Sequence, residues 1–63
     1  MFDQEFIDSF SKSVDALIED TEALLALLET HPTSTFTTMS YRRLQSSRYS
    51  LKRLKQQVAR WSR

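Results

Sequence analysis

Between Phe6 and Leu28 the apolar side chains Phe6, Ile7, Phe10, Val14, Leu17, Ile18, Leu24, Leu25 and Leu28 return at steps of three and four. At about 100° per residue this places them on one helical face, in an arc ~120° wide. Asp3 stands just before Gln4-Glu5, where its carboxylate accepts orphan backbone N–H groups and meets the positive end of the helix dipole. The pattern predicts helix one from about residue 4 to about residue 30. It stops at Thr30-His31-Pro32-Thr33-Ser34-Thr35. Proline has no N–H, disfavours helix at the residue before it, and stands here among hydroxyl side chains that compete for backbone hydrogen bonds. A turn is expected over about 31–37. The periodic pattern then resumes with Leu44, Leu51, Leu54, Val58 and Trp61, predicting helix two over about 38–61. Thr35, Thr37, Thr38 and Ser40 all offer a cap, which leaves its first residue open.

Both helices carry a seven-residue repeat. In helix one the rows are Ile7, Val14, Thr21, Leu28 and Phe10, Leu17, Leu24; in helix two they are Leu44, Leu51, Val58 and Ser47, Leu54, Trp61, with Ser40 continuing the second row. The short connection predicts an antiparallel αα-hairpin, so the expected fold is all-α and a single domain. Phe6 and Phe10 should then lie near Val58 and Trp61 at the open end, with Phe2 beside them. Leu24, Leu25 and Leu28 should lie near Phe36, Met39, Tyr41 and Leu44 at the turn. Helix one has more apolar width than one facing helix covers. Two hairpins are therefore expected to join as a homodimeric four-helix bundle with helix one central.

Composition points the same way. A chain of 63 residues with one proline, no glycine and no cysteine has no disulfide framework and no cysteine-based metal site. So small a domain buries little apolar surface alone, and a partner is expected. The N-terminus is acidic, and the longest apolar run, Ala23 to Leu28, is far too short to span a membrane. No membrane partner and a cytoplasmic location are expected, the host cytoplasm if the protein is viral.

Charge divides the chain sharply. Residues 1–30 hold eight acids and one base, Lys12, for a net −7; residues 31–63 hold eight bases and no acid, for a net +8, which together give the formal +1. The plain consequence is attraction between an acidic helix and a basic one, with like charges disfavouring wrong pairings. Arg48 and Lys55 on one flank of the seam, and Arg43 on the other, are placed to reach acids across it. Arg42, Tyr49, Arg53 and Arg60 fall nearly opposite the seam, with Lys52 and Arg63 beside them, and should point outward. Such a stripe is either a solvated face, an anchor for an acidic protein surface, or a phosphate-binding surface in which Tyr49 stacks on a base. No helix-turn-helix, zinc-ligand or ribonucleoprotein motif favours nucleic acid, and Glu5, Asp8, Asp15, Glu19 and Glu22 would repel it from the other helix.

Candidate chemistry is sparse. His31, the one imidazole, reads as a polar turn residue without partners for catalysis or metal binding. Ser9, Ser11 and Ser13 do not share a helical face and have no activating base. Glu19, Asp20 and Glu22 point in different directions, so neither a metal nor another cofactor is expected. Trp61 reads as a lid over the phenylalanines, with an exposed anchor as the alternative. Leu27 lies opposite the apolar arc and, with Phe2, would mark a second contact surface if exposed. The reading is of a protein that is not an enzyme.

In its chain length and in the heptad-like rows of both helices, Ile7, Val14, Thr21, Leu28 and Leu44, Leu51, Val58 among them, the sequence resembles the Rop type of plasmid protein. There, helical hairpins pair into a four-helix bundle that binds RNA duplex loops. The likeness rests on architecture, and the turn with Pro32 and the charge split depart from that pattern, so RNA binding carries over only as analogy. In size, helical content and absence of an enzyme motif the chain is also similar to the small early proteins of temperate lambdoid phages, including those of the exo–xis region. That resemblance implies a regulatory role through binding host or phage proteins. Three readings follow: a small regulator or adaptor that binds a protein through the helix-two stripe, a nucleic-acid-binding regulator using the same stripe, and a subunit or chaperone-like helper whose helix-one stripe is completed by a different protein.

Overall fold

The computed structural model describes residues 3–31 and 34–61. Two helices and no strand occur among them: α1 (Gln4–Glu29) and α2 (Thr35–Trp61), packed against each other in an antiparallel hairpin of 46 × 14 × 12 Å. The expectations that fall on Phe2, Pro32 and Arg63 lie outside the described residues. The molecule is a rod two helices wide and one helix thick, so each helix has a single neighbour.

Both ends of α1 are closed without glycine. Asp3 caps α1 as its chemistry predicts, its Oδ1 accepting from Phe6 N at 2.8 Å, and Glu5 adds a negative charge in the first turn. At the other end Thr30 and His31 converge on one carbonyl. Leu27 O accepts from Thr30 N at 3.2 Å and from Thr30 Oγ1 at 2.8 Å, and His31 Nδ1 lies 2.8 Å from it. A left-handed glycine commonly closes a helix C-terminus. Here the chain keeps φ negative throughout the described residues and satisfies the last carbonyls with side chains and i→i+3 bonds.

α2 begins at Thr35, about three residues before the start expected near residue 38. The cap is Ser34. Its Oγ accepts from Thr37 N at 3.2 Å, while Ser34 N donates back to Thr37 Oγ1 at 2.8 Å. This is a reciprocal capping box with threonine in the place usually held by Glu or Gln. Because that position is filled by an unusual residue, the sequence pattern pointed past Ser34 to the later hydroxyls.

The two heptad rows of each helix have different fates. Ile7, Val14, Ile18, Thr21 and Leu25 are buried on α1, and Val58, 1% exposed, is buried on α2. Leu44, Leu51, Leu54, Thr37, Tyr41 and Arg48 are half-buried on α2, while Ser47 is exposed. The seam on α2 therefore runs along 37, 41, 44, 48, 51 and 58, rolled toward Tyr41 and Arg48 and away from the row of Ser47 and Trp61. Thr21 enters the core at no polar cost, since its hydroxyl donates to Leu17 O at 2.7 Å. No helix among the described residues is long and apolar enough to cross a membrane.

Candidate functional site

The hairpin has two unlike broad faces and an outer ridge. One broad face is polar. Lys55 Nζ lies 2.7 Å from Asp15 Oδ1, Lys52 Nζ 3.9 Å from Glu22 Oε2, and Tyr41 donates its hydroxyl to Glu29 Oε1 at 2.8 Å. Asp15, Glu22 and Glu29 follow at heptad spacing along α1 and are met from α2 by Lys55, Lys52 and Tyr41, so antiparallel packing sets an acid against a donor at each rung. The hydrogen bond to Glu29 raises the pKa of Tyr41 above its ordinary value of 10.0; desolvation and the Glu29 charge add to the rise, and Arg48 opposes it.

The opposite broad face is apolar. Phe10, Leu17 and Leu24 stand along its α1 side, with Phe6 stacked on Phe10 at 5.8 Å between ring centroids. Ser40, Ser47, Leu54 and Trp61 line its α2 side. Leu17 is 52% and Leu24 48% exposed, although both belong to the heptad pattern. Trp61 lies 6.0 Å from Phe10 but keeps 41% of its surface exposed, so it borders this face and only partly covers the phenylalanines. Two grooves run along it. One, of about 520 Å³, has Leu24, Leu28, Phe36, Ser40 and Leu44 among its walls; the other, of about 560 Å³, has Leu17, Thr21, Ser47, Leu51 and Arg43. Met39, expected at the hairpin's turn-end contact, is exposed, as is Leu27.

The outer ridge of α2 carries Arg42, Tyr49, Arg53 and Arg60, all exposed. The Arg53 guanidinium lies 5.9 Å from the centroid of the Tyr49 ring, within cation–π range. Among the described residues none of these arginines is in an ion pair with α1. Lys52, expected on this ridge, is instead turned toward Glu22 by the roll of α2 and belongs to the polar face. Arg43, expected to pair, borders the apolar groove and makes no ion pair among the described residues. Within the described residues no group of three His, Asp or Glu side chains is placed to hold a metal ion.

Fold and surfaces define a charge-segregated, all-α helical hairpin. Compared with protein families, curated proteins and solved structures, the chain matches none.

Proposed function

We propose that the protein is a small non-enzymatic regulator or adaptor, of the kind encoded early by temperate phages, which binds an acidic surface of a protein partner through the α2 ridge. One observation supports this above others: two bases of α2 are engaged by acids of α1, Lys55 by Asp15 and Lys52 by Glu22, whereas Arg42, Arg53 and Arg60 project away from α1 around an exposed tyrosine. Arginine and tyrosine are the side chains that most often anchor protein interfaces, because they combine a planar apolar body with hydrogen-bond donors. A ridge built only to keep the molecule soluble would more usually mix in acids. The test is the double variant Tyr49→Ala, Arg53→Glu, purified alongside the natural chain and used to capture host proteins. The expected result is loss of the captured partner with unchanged helical circular dichroism, and an undiminished partner in the double variant sinks the reading. If the ligand were instead a nucleic acid, binding to an RNA or DNA duplex would weaken steeply with salt, in proportion to the phosphates contacted.

A further inference from the structure

The apolar face is independent of the basic ridge and has its own logic. A compact monomer of 7.4 kDa exposes ~4,200 Å² by the scaling of surface with mass. This hairpin exposes 5278 Å². The excess of roughly 1,100 Å² is of the size that one partner buries in a standard interface, ~800 Å². The elongated shape spreads that surface along the rod, and the face where α1 presents Leu17 and Leu24, about half exposed, is an apolar part of it.

Two identical rods can close face to face about a two-fold axis in two ways. With the axis perpendicular to the rods, α1 packs on the partner copy's α1 and α2 on its α2. Acidic helix then lies on acidic helix and basic on basic. Leu17 falls near its own symmetry mate, and the two Ser47 side chains meet across the centre of the core with nothing to fill the space. With the axis parallel to the rods, each α1 packs on the other copy's α2, and residues keep their height along the rod. The Phe10–Trp61 contact fixes those heights, since seven-residue steps from it bring Leu17 level with Leu54 and Leu24 level with Ser47. Each Leu24 then meets a serine-lined recess, and the net −7 segment of one copy faces the net +8 segment of the other.

We propose that a second copy of this chain covers the apolar face, with the two-fold axis parallel to the helices, so that both turns lie at the same end of a four-helix bundle. Charge and shape select the same arrangement. The occupied face is buried, and the two basic ridges stand at diagonally opposite corners.

The experiment uses the absence of cysteine. A Thr35→Cys chain, substituted at an exposed position next to the cap, carries one spin label per copy. Sedimentation should give a dimer, and dipolar spectroscopy a label separation of about 25 Å or less, from helices packed ~10 Å apart. A separation of about 40 Å would put the turns at opposite ends of the 46 Å rod and overturn the arrangement. A monomer at every concentration would overturn the proposal and assign the face to a different protein. Leu24→Glu should weaken dimerisation on the order of a hundredfold while Ala23→Glu, at an exposed position on the outer side of α1, leaves it unchanged; equal behaviour of the two variants would count against the assigned face. The distance measurement needs neither of them, so a variant that fails to fold leaves the test intact.

Discussion

Asp3, Val58 and Tyr41 each hold one local feature of the hairpin, and each gives a separable experiment. Replacing Asp3 by alanine leaves Phe6 N without its acceptor and removes a charge from the positive end of α1. A loss of about 0.5–2 kcal/mol is expected in urea unfolding. Val58 is the most deeply buried side chain among the described residues, and Val58→Ala removes two methyl groups from the seam; about 2 kcal/mol is expected from transfer and cavity terms together. Tyr41 gives a pH effect. Its pKa is raised in the folded state by the bond it donates to Glu29, so the folded chain holds that proton more tightly than the unfolded chain does. The stabilisation is complete below the unfolded value of 10.0 and declines as pH rises through the higher folded value. Tyr41→Phe should therefore be less stable than the natural chain near neutral pH, with the gap closing in strong alkali. Parallel melting curves that keep a constant gap to high pH would show that Glu29 does not hold the proton.

At the scale of the element, the question is what keeps α1 and α2 in register. The Asp15–Lys55 pair is short, but both side chains are about half exposed, 48% and 54%. A double-mutant cycle with Asp15→Ala and Lys55→Ala should give a coupling of only ~0.2–1 kcal/mol, fading in molar salt. Register therefore rests mainly on the apolar seam, with the rungs selecting against slipped pairings. Much of this was legible from periodicity. Two helices, the hairpin and the apolar residues all follow from three-and-four spacing, because burial in a small helical protein has to follow that spacing. What spacing does not carry is the roll of a helix about its own axis. Leu17 and Val14 read alike in sequence, yet one is half exposed and the other buried, and the same ambiguity put Lys52 on the ridge when it pairs with Glu22. An apolar arc wider than one neighbour shows that two contacts exist without saying which side chain serves which. The start of α2 was obscured for a different reason, a capping box whose third residue is threonine.

The whole molecule is a thin rod whose contacts lie at steadily increasing separation along the chain: Glu29 with Tyr41 near the turn, Glu22 with Lys52 and Asp15 with Lys55 farther out, and Phe10 with Trp61 at the open end. Self-association by the apolar face would make its melting temperature rise with protein concentration, which a series of calorimetric scans would show. The same ladder of contacts also orders events in time. Bringing two residues together costs more chain entropy the longer the loop between them, though only logarithmically. Pairing should start beside the turn and zip outward, and native-state hydrogen exchange should find protection lowest at the start of α1 and the end of α2. Phe6, Phe10 and Trp61 cluster at the end that closes last, so they act as a clasp rather than a nucleus. Shortening Trp61 to alanine should accordingly speed opening far more than it slows folding.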